Sequence, residues 1–233
     1  MPAPIDLHYW PTPNGWKVSI ALEEMGLPYA VHLVDIGAGD QRRPEFLALS
    51  PNGRMPAITD PDGPDGAPVS IFESGAILQY LARKTGRFCG ATERARIAVD
   101  QWLMWQMGGL GPMAGQAHHF LHYAPNLTPP QDIAYTKDRY RGEVARLYGV
   151  LDRQLARAEF VAGDDYTIAD MAAFPWARLW ARQEQKIEDF PHMTRWLDTL
   201  ETRPATARGV ALHLDKRQGT ADRDQQRHMF GQR

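Results

Sequence analysis

The sequence predicts an α/β unit with the element order βαβ–ββα, followed by an all-helical unit. Three observations lead there. Strand-like alternation and helix-like spacing interleave over residues 1–89. From about Ala91 onward only helical spacing remains. The length, 233 residues, suits one large or two smaller domains at ~150 residues each, and is enough to bury a core without covalent staples.

Ile5 to Trp10 alternates as a strand, with Ile5, Leu7 and Tyr9 on one face. Pro11-Thr12-Pro13-Asn14-Gly15 breaks it. A helix follows, with Val18, Ala21, Leu22 and Met25 at helical spacing and Gly26 and Pro28 as its stop. Tyr29 to Ile36 reads as a second strand. The intervening helix makes it parallel to the first, through a right-handed crossover. Gly37 to Arg43 is a polar loop, and Pro44 to Leu49 a short helix. Met55 to Thr59 and Val69 to Phe72 read as strands. The turn between them, Asp60 to Pro68, is too short for a crossover, so they form an antiparallel hairpin. Ser74 to Lys84 is a helix closed by Gly86, with Ser74 as its N-cap.

In the second unit, Glu93 to Met107 reads as a long apolar and aromatic helix, interrupted at Gly108-Gly109 and Gly111-Pro112. A helix over roughly residues 132–158 carries the core stripe Val144, Leu147, Tyr148, Leu151 and Leu155. Thr167 to about Gln183 is the next, with Pro175 expected to kink or divide it. Met193, Trp196, Leu197 and Leu200 mark another. Residues 215–233 are polar, with isolated Met229 and Phe230, and read as a solvated or loosely docked tail. The expected organisation is therefore 1–89, 90–214 and a tail over 215–233.

Composition narrows the function. Hydrophobic residues make up 43% and charged residues 23%, an ordinary globular mix. Lysine and arginine number 26 against 28 acids, and the net charge of −2 gives no electrostatic reason to bind nucleic acid or an anionic membrane. No apolar run reaches the ~18 residues of a membrane span. The N-terminus lacks a basic segment followed by an apolar one, so a cytoplasmic protein is expected. Cys89 is the single cysteine, which excludes an intrachain disulfide and any CxxC redox or zinc site. It reads as a structural thiol. His118 and His119 point ~100° apart on a helix, with no third ligand at useful spacing, so no metal is expected. Trp102, Met104, Trp105, Met107 and Met113 fit an apolar pocket, the core or a dimer contact equally well.

Three motifs carry a resemblance. They are Ser50-Pro51-Asn52-Gly53-Arg54-Met55-Pro56-Ala57-Ile58, Phe72-Glu73-Ser74-Gly75-Ala76-Ile77 and the capping box Thr167-Ile168-Ala169-Asp170. With the element order, they make nearly the whole chain resemble the cytosolic glutathione transferase superfamily: a thioredoxin-like glutathione-binding domain followed by an all-helical domain. Thr12 to Val18, Trp105 to Met113 and Gln116 to Phe120 are most similar to its bacterial Nu class, whose members are glutathione-dependent disulfide-bond reductases.

The resemblance implies a site. The first helix start, Thr12 to Gly15, would stabilise a glutathione thiolate, because helix N-termini present N–H donors and partial positive charge. Threonine and asparagine stand where thioredoxin-like redox proteins keep cysteine, so the reactive sulfur must come from the ligand. Thr12 and Asn14 are the expected catalytic donors. A free thiol has a pKa near ~8.5, and lowering it by about two units takes ~2.7 kcal/mol, which one or two hydrogen bonds supply. Met55 and a cis Pro56 would pair with the cysteinyl backbone like an added strand. Glu73 would hold the γ-glutamyl ammonium, and Ser74 its carboxylate. Gln41 would contact the glycine end, and Arg139, in the Arg139-Tyr140 pair that matches the class, would be a further ligand contact. The implied protein is a homodimer that uses glutathione, reduced or as its disulfide, with a small disulfide or electrophile as second substrate and no metal. The alternatives are a conventional glutathione transferase or peroxidase, and a non-catalytic glutathione-binding regulator.

Overall fold

The computed structural model describes residues 3–127, 129–217 and 223–231. Contacts divide the chain into Met1–Leu81 with Ala205–Arg233, and Ala82–Pro204. No helix among the described residues is long and apolar enough to cross a membrane.

The first unit is built on a four-stranded sheet in the order β2-β1-β3-β4, with strands β1 (Ile5–Tyr9), β2 (Tyr29–Leu33), β3 (Ala57–Asp60) and β4 (Val69–Phe72). β1 and β2 are parallel, with Ile5 opposite Tyr29, and the other pairings are antiparallel, with Leu7 opposite Ile58 and Ile58 opposite Ile71. Helices α1 (Pro13–Met25), α2 (Pro44–Leu49) and α3 (Ser74–Thr85) complete the βαβ–ββα order. The alternation in β1 buries Ile5, Leu7 and Tyr9 as expected, and Val18 and Leu22 of α1 and Ile77 and Leu78 of α3 are buried as well.

Two strands are shorter than the sequence pattern. β2 ends at Leu33 because the Asp35 carboxylate accepts from the N–H groups of Gly37 and Ala38, at 2.8 and 3.2 Å, and turns the chain. β3 starts at Ala57 because Pro56 has no N–H to give the ladder.

The C-terminal segment differs from the expectation of a helical unit reaching 214 and a free tail. α9 (Pro204–Ala211) lies against α1. A Cβ on Gly209 would sit 2.7 Å from Ile20 Cα, so glycine permits the approach, and Ser19 Oγ donates to Gly209 O at 2.7 Å. The Tyr9 hydroxyl donates to Leu212 O at 3.1 Å. Further on, the polar residues form α10 (Arg223–Phe230), tied to the loop after β2 by Arg42, which donates to the carbonyls of His228 and Gly231 at 3.1 and 2.9 Å. Helical spacing of polar residues gave little sign that this segment docks, because its hold is through backbone carbonyls.

The second unit is helical: α4 (Glu93–Trp105), α5 (Gly111–His118), α6 (Ala134–Leu155), α7 (Ile168–Ala177) and α8 (Pro191–Glu201). The predicted stripe of α6 is buried, Leu151 fully so. The expected break at Gly108-Gly109 is absent. Gln106–Leu110 forms a π-helical turn instead, with the Gly111 N–H bonded to Gln106 O, which carries the helix up to Pro112. Pro175 sits inside α7, which ends soon after at Ala177. The capping box is present. Asp170 is fully buried and accepts from Thr167 N, Val161 N and Trp196 Nε1, each at 2.9 Å. Burial raises its pKa to about 6.

Candidate functional site

The end of β1 turns into α1 through Pro11 and Thr12. Thr12 has extended backbone, φ −124° and ψ 163°, and Pro13 occupies the first helical turn, where its missing N–H costs nothing. Thr12 Oγ1 accepts from Gly15 N at 3.3 Å. The threonine is thus the N-cap of α1, a local role that its chemistry also predicts. Its hydroxyl donates to Met55 Sδ at 3.7 Å. A Cβ on Gly15 would lie 2.3 Å from Trp10 O, so only glycine lets the helix start close onto the strand end. No acid lies in the first turn of α1 to oppose an anion there. Asn14 is half-buried one residue after Pro13.

Met55 follows from the sheet register. β1 pairs with β3 so that His8 faces Ala57. Continuing that register brings the chain after β1 alongside Met55, beside the Thr12 turn. The Met55–Pro56 peptide is cis. Met55 packs against the buried cluster of Val34, Phe46 and Ala57.

The β4–α3 junction supplies the next part. Ile77 N donates to Glu73 O at 2.9 Å, which makes Glu73 the N-cap residue and Ser74 the first helical residue. This corrects the reading of Ser74 as the cap. Glu73 is exposed and has φ +69°, a left-handed conformation that costs a non-glycine residue about 1 kcal/mol or more. Ser74 is buried, and its Oγ accepts from Lys17 Nζ at 3.4 Å. Lys17 is buried too, and burial lowers its pKa to about 7 against the raising effect of the Glu73 carboxylate.

The N-terminal part of α1 therefore touches two other predicted segments, Thr12 reaching Met55 and Lys17 reaching Ser74. Gln41 lies near the loop before Met55: a Cβ on Gly53 would be 3.3 Å from Gln41 O. Gln41 is buried, and its Nε2 donates to Ile36 O at 3.3 Å and to His228 O at 3.2 Å. Both amide hydrogens thus serve backbone carbonyls, and Oε1 has no partner among the described residues. Arg139 is exposed on α6, in the other unit.

Other tempting residues fall elsewhere. Burial holds the Tyr9 phenol well above its ordinary range, and its hydroxyl is directed to Leu212 O. Cys89 is half-buried. Among the described residues no cluster of three His, Cys, Asp or Glu side chains could hold a metal. Met104 is 51% exposed, while Trp102 and Trp105 meet edge to face with ring centres 5.1 Å apart. The sequence reasoning passed over Lys17. The available signal was a lysine between Trp16 and Val18 in a helix that is otherwise apolar at these positions.

The element order described above has counterparts among known proteins. Residues 12–84 match the glutathione S-transferase N-terminal domain, and residues 113–204 match the glutathione S-transferase C-terminal domain. The chain belongs to the glutathione S-transferase family. Among its relatives is the disulfide-bond oxidoreductase YfcG of Escherichia coli (strain K12), 48% identical over 207 residues, covering 88% of this chain and 94% of that protein. A glutathione transferase from Pseudomonas putida, solved with one glutathione disulfide bound per subunit, matches with TM-score 0.85 and 44% identity, over 90% of this chain and 92% of that one. A glutathione transferase from Burkholderia graminis, solved with two glutathione molecules bound per subunit, matches with TM-score 0.84 and 45% identity, over 91% and 89%.

Proposed function

We propose that this chain is a glutathione-dependent disulfide-bond reductase. The observation that carries the reading is the helix start at Thr12: an uncharged, hydroxyl-capped N-terminus without an acid in its first turn, tied to Met55. The relatives named for disulfide chemistry, or solved with glutathione or its disulfide, support it. The donor set suits the ligand. The α1 start favours an anionic sulfur, the α3 start and Ser74 favour a carboxylate, and Glu73 suits an ammonium. Gln41 would serve the glycine end through its Oε1, which can accept from the glycyl N–H, since both of its amide hydrogens go to Ile36 O and His228 O.

In this reading Thr12 and Asn14 hold a glutathione thiolate. The thiolate attacks one sulfur of a disulfide, forming a mixed disulfide and releasing the other sulfur as a thiolate, which takes a proton. A second glutathione thiolate attacks the glutathione sulfur of the mixed disulfide. Glutathione disulfide leaves, and the substrate's remaining sulfur departs and is protonated. Two glutathiones are oxidised, one disulfide is reduced to two thiols, and no protein cysteine takes part.

The test is turnover of hydroxyethyl disulfide with glutathione, run beside an aryl halide. Faster disulfide turnover is expected, and Cys89→Ala retains it. Aryl conjugation alone would assign the chain to conventional transfer, and binding without turnover would make it a regulator. We further propose a homodimer and a cytoplasmic location. The apolar Ile97 and Met104, seven residues apart on α4 and each about half exposed, motivate the dimer.

A further inference from the structure

Lys17 is a charged residue that the mechanism above does not use. Lysine ordinarily buries its stem and keeps its ammonium in water, yet only 1% of this residue is exposed. Its Nζ lies 3.4 Å from Ser74 Oγ. An ammonium donates and cannot accept, so while Lys17 is protonated Ser74 Oγ is the acceptor in this pair and the serine hydroxyl hydrogen is left to serve a group other than Lys17. Ser74 is the first residue of α3, where backbone N–H groups and the helix dipole also favour an anion.

We infer that Lys17 is a positioning residue for the γ-glutamyl carboxylate of glutathione: it orients the Ser74 hydroxyl as a donor and places a positive charge behind it. The inference rests on the assignment of Ser74 to that carboxylate. It goes further in making ligand affinity depend on a buried proton.

The charged surroundings set the direction. Glu73, at the β4–α3 junction, is the carboxylate that raises the Lys17 pKa, while burial lowers it to about 7. Elsewhere along α1, Glu23 is paired with Arg208 of α9 and accepts from Tyr29 of β2, and Arg217 lies over the Trp16 ring. A bound carboxylate favours protonated Lys17 and raises its pKa above the free value. Affinity is therefore full below about pH 7. It falls as pH rises through the free pKa and levels off above the bound one, by up to about tenfold per unit of pKa difference.

The experiment is calorimetric titration of the full chain with S-methylglutathione, whose blocked sulfur cannot ionise, between about pH 6 and pH 8 in buffers of different ionisation enthalpy. The wild-type protein is expected to bind several-fold more weakly at the upper pH, with proton uptake on binding. Lys17→Met is expected to bind roughly tenfold more weakly at the lower pH and to lose most of the pH dependence. Lys17→Arg keeps the charge and recovers part of the affinity. With glutathione varied at a fixed disulfide concentration, Lys17→Met raises the KM for glutathione much more than it lowers kcat. A wild-type affinity that does not vary with pH, without proton uptake, would overturn the inference even if Lys17→Met fails to fold. Unchanged affinity in a folded Lys17→Met would overturn it as well. Failure of the wild-type chain to bind S-methylglutathione at any pH would instead overturn the glutathione-site reading beneath it.

Discussion

Replacing Thr12 by alanine separates the two roles of its hydroxyl. The change removes a hydrogen bond accepted from Gly15 N at 3.3 Å and one donated to Met55 Sδ at 3.7 Å. Losing an N-cap costs ~0.5–2 kcal/mol. The separation is longer than the ~2.9–3.0 Å common for such bonds, which puts this cap at the low end, about 0.5–1 kcal/mol. In a chain of this size that lowers Tm by roughly 1–4 °C, too little to empty the folded state at assay temperature. If bound glutathione draws the single Thr12 hydroxyl hydrogen from Met55 Sδ to its thiolate, the alanine variant loses a further ~1–3 kcal/mol of stabilisation, or roughly 5- to 150-fold in turnover. Hydroxyethyl disulfide turnover at saturating glutathione reads that loss. Thiolate absorbance near ~240 nm reads the bound thiol's pKa, which is expected to rise. Thr12→Ser keeps the hydroxyl and stays close to wild type in both. Asn14→Ala is expected in the same range, and the double variant loses less than the product because helix N–H groups compensate. Wild-type turnover and an unmoved thiol pKa in both single variants would refute the reasoning. Tyr9 would not be the obvious replacement, since its hydroxyl serves Leu212 O.

Glu73→Gln and Ser74→Ala are expected to raise the Kd for glutathione while leaving kcat nearly unchanged, because they serve the end remote from sulfur; collapsed kcat with unchanged affinity would place them at the reacting centre. Gln41→Ala removes the donor to His228 O, so hydrogen exchange in α10 speeds up and glutathione binds more weakly. Faster exchange with unchanged affinity would leave Gln41 only as a clip for α10. Asp170→Asn disturbs a buried acceptor of four donors and is expected to cost about 2–4 kcal/mol by denaturant titration at neutral pH. Because burial holds the Asp170 pKa above its unfolded value, wild type should gain stability relative to that variant as pH falls from about 6 toward 4; a flat difference over that window would contradict the assigned shift. Light scattering at micromolar concentration should return a dimer mass, and a monomer would leave the exposed Ile97 and Met104 without that explanation.

Local chemistry made much of this protein legible from its sequence. Alternation in Ile5 to Tyr9, the turn residues from Pro11 to Gly15, the hairpin between β3 and β4 and the box from Thr167 to Asp170 are each set by residues within a few positions of one another. Binary pattern and capping chemistry specify such elements directly. Thr12, Met55, Glu73 and Ser74 were singled out by their likeness to glutathione transferase motifs, and local chemistry by itself offered Thr12 and Ser74 only capping roles. Where a helix could tolerate an irregular turn, pattern misled: Gly108-Gly109 reads as a break, yet a π-helical turn continues the hydrogen bonding through it.

Tertiary structure alone decided what depends on distant partners. Local turn and capping residues say nothing of Gly209 closing onto Ile20, almost two hundred residues away, or of α10 taking up the amide of Gln41. Those contacts use backbone carbonyls and the absence of a side chain, which carry no hydropathy pattern. Lys17 shows the same limit. Its sequence identity supplies a charge, but burial sets its pKa at about 7 and the β4–α3 junction brings Ser74 to it. Desolvation is a property of the assembled fold, so no local reading of residues 12–18 could have found it.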